Sequence, residues 1–169
     1  LGNINMKNKF IKKIFNIALV CVFAIQLVGC GNNNNKIDMT KLEKTMMAAD
    51  TDMPTMLAVN SDSDNTKDLF AYLSDMDYSK VDKYFLDYAQ EGTAEEVAVI
   101  RVKNSKDVDE AKKSLEKHIQ DRISFYKTYD PTQVDRANDA QIFVKDDYAV
   151  LIVSDNASEI KKAFEDSFK

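Results

Sequence analysis

Two apolar runs of strand length, residues 97–102 and Tyr148–Val153, constrain the fold of this chain more than any other feature. Each run is preceded by a strand-like segment and a short turn, and each is followed by a helix-capping side chain and apolar residues at helical spacing. In the first unit, Tyr84 and Tyr88 lie on one side of the alternating segment 81–89. The sequence therefore predicts two ββα units.

The helix of the first unit is the longest one that the sequence predicts. Its apolar side chains step by three or four residues between a cap at Ser105 and a stop just before Pro131. The second unit repeats the order, with a strand at residues 141–144, a tight turn and a closing helix that Asn156 or Ser158 caps. We expect an α+β fold in which a four-stranded antiparallel sheet carries the helices on one face.

The chain ahead of the first ββα unit gives weaker patterns. Leu42 and Met46 recur at helical spacing after Asp38, whose side chain can cap a helix. A second short helix pattern follows the polar residues 60–65. Pro54 lies in a stretch that we interpret as extended chain or a short edge strand. The fold prediction therefore adds one or two short N-terminal helices.

The first 29 residues have the layout of a bacterial secretory signal. Four lysines precede an apolar run at residues 14–28, which is shorter than the roughly 20 residues of a membrane-spanning helix. Residues 27–30, Leu-Val-Gly-Cys, resemble the lipobox of bacterial lipoproteins, in which the cysteine receives a diacylglycerol and becomes the first residue after cleavage. We therefore predict a signal peptide at residues 1–29 and lipidation of Cys30. The alternative is an uncleaved membrane helix.

The remaining chain divides into a short tether and one domain. Residues 1–5 precede the first methionine and are interpreted as an upstream extension with no part in the fold. Residues 30–37 begin at the lipidated cysteine and form a polar, flexible tether, which leaves residues 38–169 for a single α+β domain. Since the only other cysteine, Cys21, lies in the signal sequence, the core and not a disulfide must hold this domain together.

The charge of the exported part argues against nucleic acid as a partner. Removing residues 1–29 takes away four of the 23 basic residues and none of the 28 acidic ones, which leaves a formal net charge of −9. Binding to nucleic acid or to an anionic membrane surface needs clustered Lys and Arg. We therefore expect the lipid on Cys30 to hold the protein on the outer face of the cytoplasmic membrane.

His118 and Arg122 are the polar candidates for a binding site. They lie four residues apart on the long helix, along its apolar stripe, and can act as a small anion-binding or carboxylate-binding pair. Alternatively, both reach outward from the rim of the stripe or bond to a nearby acid. Tyr84 and Tyr88 are the aromatic candidates, on a sheet face where tyrosine rings suit contact with a glycan or a peptide, and core packing is the alternative.

The sequence contains no recognisable catalytic, cofactor or metal site. With one histidine and no cysteine after residue 30, neither a Ser-His-Asp or Cys-His arrangement nor an ordinary zinc site can be assigned. Gly92 is the only glycine after Gly31, which argues against a phosphate-binding glycine loop. The acids around Asp62 and Asp64 lack the glycine and the bidentate glutamate of an EF-hand. A carboxylate pair for hydrolysis stays open, because spacing in sequence does not fix distance in space.

Several stretches together resemble a known family. The strand-like residues 81–86, 97–102 and 148–155, the Tyr-Asp-Pro sequence at residues 129–131 and the lipobox resemble a domain-of-unknown-function family of small lipoproteins from Gram-positive, clostridia-type bacteria. The resemblance covers residues 69–168. It implies a cell-surface lipoprotein and brings no activity with it.

These observations favour a lipid-anchored extracytoplasmic protein with a small binding or accessory domain that is not an enzyme. Its expected partners are the membrane, through the lipid, and an envelope protein, a wall polymer or a small ligand. One alternative is a carboxylate-based hydrolase that acts on cell-envelope material. Another is a scaffold subunit of an envelope complex.

Overall fold

The fold is built on a sheet of five antiparallel strands, within residues 36–169 that the computed structural model describes. The strands are β1 (Met56–Asn60), β2 (Val81–Ala89), β3 (Glu96–Val102), β4 (Gln141–Lys145) and β5 (Tyr148–Val153). Their spatial order is β1-β2-β3-β5-β4, so the two predicted hairpins lie side by side and join through β3 and β5.

The prediction of four strands is wrong, because the stretch after Pro54 forms a fifth. Residues Met56 to Asn60 pair along the free edge of β2, from Met56 opposite Ala89 to Asn60 opposite Phe85. Pro54 lies ahead of the strand, where its missing N–H removes no bond from the ladder. The mixed α+β class and the antiparallel sheet are as predicted.

Five α-helices complete the fold of the described residues. They are α1 (Met39–Met47), α2 (Thr66–Phe70), α3 (Val108–Tyr129), α4 (Val134–Asn138) and α5 (Ala157–Asp166). The carboxylate of Asp38 accepts hydrogen bonds from the N–H groups of Thr40 and Lys41, which confirms the predicted cap of α1. The predicted end of the long helix is also confirmed, because α3 ends at Tyr129, two residues before Pro131.

The helices lie on both faces of the sheet, and the prediction that they lie on one face is wrong. On one face, α3 packs with Phe70 of α2 and Ala137 of α4 over side chains such as Leu151. On the other face, α1 and α5 pack over side chains such as Val150. The reason is that every residue of β3 and β5 is buried, and strands buried on both sides need a layer of structure over each face.

Residues Ile37–Lys169 form one compact unit. Residues 1–35, which include the predicted signal sequence, Cys30 and most of the predicted tether, lie outside the described residues. No helix within residues 36–169 combines the length and the apolar character that a membrane crossing requires.

Candidate functional site

A cleft of about 520 Å³ lies between the α2 segment and α3 and is called the α2–α3 cleft below. Its walls include the apolar side chains of Val59 on β1, Leu69 on α2 and Leu86 on β2. The long helix α3 packs mainly against β5, β4 and β3, and α2 has only five residues. Space therefore remains between the two helices above β2.

The polar floor of the cleft is formed by Glu96, His118 and Arg122. Glu96 is the first residue of β3, and its side chain is only 2% exposed. The Nε2 atom of His118 lies 2.6 Å from Glu96 Oε1, and the Nε atom of Arg122 lies 3.6 Å from Glu96 Oε2. One buried carboxylate is thus held between two basic side chains, which compensate its charge inside the protein.

The guanidinium of Arg122 is fixed by contacts on one side. Its Nη2 atom donates to the carbonyl oxygen of Thr93 at 3.3 Å and to the hydroxyl of Tyr126, and its Cζ atom lies 5.0 Å from the centre of the Tyr126 ring. The hydroxyl of Tyr126 donates in turn to the Thr93 carbonyl at 2.8 Å. Burial raises the pKa of Tyr126 above its ordinary value.

Aromatic side chains form the exposed rim of the cleft. Tyr72 and Phe125 line the opening and are 77% and 49% exposed. Tyr129 is 73% exposed and stacks on Phe125, with ring centres 4.4 Å apart. Single exposed apolar side chains are common on protein surfaces, whereas several of them in contact favour binding to another molecule.

The structure brings three of the four predicted binding residues together. His118, Arg122 and Tyr88 all line the α2–α3 cleft. Tyr84 does not line it, although it lies on the same side of β2. Its ring is 1% exposed and packs 4.9 Å from that of Phe70, and its hydroxyl donates to the backbone carbonyl of Thr66.

Glu96 is the site residue that sequence reasoning missed. From the sequence, bonding of His118 and Arg122 to a nearby acid was one of the alternatives. The acid is Glu96, which lies 22 residues before His118 in the chain, on β3. A signal was present, since Glu96 directly precedes the apolar run at residues 97–102 and the hairpin register sets it opposite Tyr88. An acid that enters a buried strand needs a partner, and the neighbouring long helix carries two bases.

A pair of acids lies on the opposite face of the sheet from the cleft. Burial, with a smaller contribution from the charge of Glu43 on α1, raises the pKa of Asp87 on β2 to about 7. The pKa of Glu43 is also raised by burial. Neither acid lines the α2–α3 cleft. Within residues 36–169, no group of three or more His, Cys, Asp or Glu side chains is placed to hold a metal ion.

A family model described as Domain of unknown function (DUF4358) matches residues 54–154. The chain belongs to this family. The DUF4358 match spans the whole sheet, from β1 to β5, and includes every residue that lines the α2–α3 cleft. No curated protein and no solved structure matches the sequence. The predicted membership of a domain-of-unknown-function family is thereby confirmed.

Proposed function

We propose that this DUF4358 chain is a lipid-anchored extracytoplasmic lipoprotein of a Gram-positive, clostridia-type bacterium, and that its domain binds a small ligand in the α2–α3 cleft without catalysing a reaction. The observation that carries the proposal is the cleft itself. A volume of about 520 Å³, apolar walls and a few convergent polar groups are typical of small-molecule sites. The exposed rings of Tyr72 and Phe125 add a contact surface at its opening.

Binding is favoured over carboxylate-based hydrolysis by the state of the acids in the cleft. Hydrolysis of a glycosidic bond commonly uses two carboxyl groups that face the same substrate. Glu96 is held by His118 and Arg122, and Asp121 is two-thirds exposed and paired with Lys117 at 2.7 Å. Asp87, whose pKa is raised to about 7, lies on the other face of the sheet. Such an arrangement supports recognition and offers no two carboxyl groups that are free to face one substrate.

The binding proposal is tested by filling the cleft. Val59→Phe places a larger side chain on the cleft wall, and Val144→Phe makes the same change on the other edge strand, β4. A mixed library of fluorinated aromatic, aliphatic and glycan compounds is screened by ligand-observed fluorine NMR against the full chain. We expect some compounds to bind the unaltered protein and the β4 variant and to lose binding with Val59→Phe. Equal binding to all three proteins, or to none, would overturn the proposal.

The anchor proposal has a matched pair of variants, because the chain contains two cysteines. Cells that express the full chain are fed an alkyne-labelled fatty acid, and the protein is examined for label and for the mass of its N-terminal peptide. We expect Cys21→Ser to keep the label and Cys30→Ser to lose it. A label that survives Cys30→Ser would contradict lipidation at this residue.

A further inference from the structure

We infer that the ligand of the α2–α3 cleft is a compound with an apolar body and a carboxylate group, and that the carboxylate lies against Arg122 and His118. The inference rests on the proposed function, since it names the ligand class of that same cleft. Three features of the cleft carry it: the charge of its floor, the unused donors there and the apolar character of its walls.

The floor has more basic side chains than acidic ones. Glu96 is the buried acid, whereas both His118 and Arg122 contact its carboxylate. The other acid that lines the cleft, Asp121, is 67% exposed and has its own partner in Lys117. Two basic side chains at the floor thus share one buried carboxylate, and a ligand carboxylate gives them a second acidic partner.

The atoms that remain for hydrogen bonding also fit a carboxylate. Arg122 makes its hydrogen bonds through Nη2, and His118 makes its hydrogen bond through Nε2. The buried Nε atom of Arg122 has no hydrogen-bond partner among residues 36–169. Within residues 36–169, Arg122 Nη1 and His118 Nδ1 form no hydrogen bond and are left for a ligand, and the contacts to Thr93 and Tyr126 hold the guanidinium in place before the ligand arrives.

The walls fit an aromatic or aliphatic body better than a sugar. Val59, Leu69 and Leu86 offer no hydrogen-bonding side chain to the hydroxyl groups that would enter with a sugar. The rings of Tyr88 and Phe125 can pack against an apolar chain or another ring. The polar atoms are gathered at the floor, so a ligand with one polar end and an apolar remainder satisfies both parts of the cleft.

The experiment compares three compounds with one body and different head groups: fluorinated phenylbutyrate, phenylbutyramide and phenylbutylamine. Binding to the full chain, as processed by the expressing bacterium and reconstituted in nanodiscs, is measured by fluorine NMR against protein-free nanodiscs. We expect the carboxylate to bind at least about tenfold more tightly than the amide, because hydrogen bonds to charged groups are the stronger ones. The amine should bind most weakly. Equal or tighter binding of the amide or the amine would overturn the inference.

Two variants test the assigned contacts. Arg122→Gln and His118→Gln should each reduce the preference for carboxylate over amide by about tenfold, whereas Lys113→Gln, an exposed change on the same helix, should leave it unaltered. A preference that survives both cleft variants would overturn the inference. If the amide binds as well as the carboxylate and Val59→Phe still abolishes binding, the carboxylate inference fails and the proposed function stands.

Discussion

Replacement of Asp87 by Asn should make the protein more stable at alkaline pH. Asp87 lies two residues before the end of β2, opposite Ala58 of β1 and Val97 of β3. Its side chain is buried, and its Oδ2 atom has no hydrogen-bond partner among the described residues. An ionised carboxylate in such a place lacks the solvation that it has in the unfolded chain, which is why burial raises its pKa to about 7.

The size of the effect follows from the difference in pKa between the folded and the unfolded chain. The ordinary value is 3.8, so between about pH 4 and pH 7 the unfolded chain loses a proton that the folded chain keeps. The free energy of unfolding therefore falls as pH rises through this window and levels off above it. At about 1.4 kcal/mol per pH unit, the loss amounts to roughly 4 kcal/mol. Asp87→Asn removes the charge, and we expect a gain of roughly 3 kcal/mol at pH 8, since the buried amide also lacks partners.

The assay is urea unfolding at pH 5 and at pH 8, followed by circular dichroism. The unaltered protein should be clearly less stable at pH 8, and Asp87→Asn should show most of that difference removed. Asp64→Asn, which makes the same change at an exposed position, serves as the control and should follow the unaltered protein. If Asp87→Asn and the unaltered protein lose the same stability between the two pH values, the burial argument for Asp87 is refuted.

Four further substitutions, one of them a control, test the packing and the site by urea unfolding at neutral pH. Leu151→Ala, at a fully buried position of β5, should cost about 2–5 kcal/mol, whereas Val144→Ala on the exposed edge should cost less than about 1 kcal/mol. Glu96→Ala leaves two bases without their acid and should cost about 3 kcal/mol; a loss under about 1 kcal/mol would contradict the ion-paired floor. Gly92→Ala should cost about 1 kcal/mol from its φ of +81° alone, because a Cβ there meets no atom within 4 Å.

The local pattern of the sequence was enough to predict the two hairpins and the long helix. The apolar runs at residues 97–102 and Tyr148–Val153 correspond to β3 and β5, and the stop before Pro131 corresponds to the end of α3. The fifth strand needed more than local information, since a short segment after Pro54 becomes a strand only where β2 offers an open edge. The sequence did indicate the second helical layer, because neither apolar run alternates between apolar and polar residues. Strands with such continuous apolar runs are buried on both faces.

The site was predictable in its residue types and only partly in its geometry. His118, Arg122 and Tyr88 could be singled out because polar or aromatic side chains beside an apolar stripe are candidates for contact with a ligand. Tyr84 has the same spacing as Tyr88 and lies in the core, because the α2 segment covers it, and no local pattern gives the position of α2 over the sheet. The role of Glu96 could be predicted only by combining the register of the β2–β3 hairpin with the position of α3, which carries His118 and Arg122.

The start of the compact unit is joined directly to the middle of the sheet. Arg101, in β3, donates from Nη1 to the backbone carbonyl of Ile37 at 2.7 Å and is held by Asp82 at 2.8 Å and by the hydroxyl of Tyr148 at 3.3 Å. A force applied to the chain ahead of Ile37 would therefore be transmitted to the central strand β3 through the guanidinium of Arg101. Such a force would reach β3 directly, in addition to acting on α1.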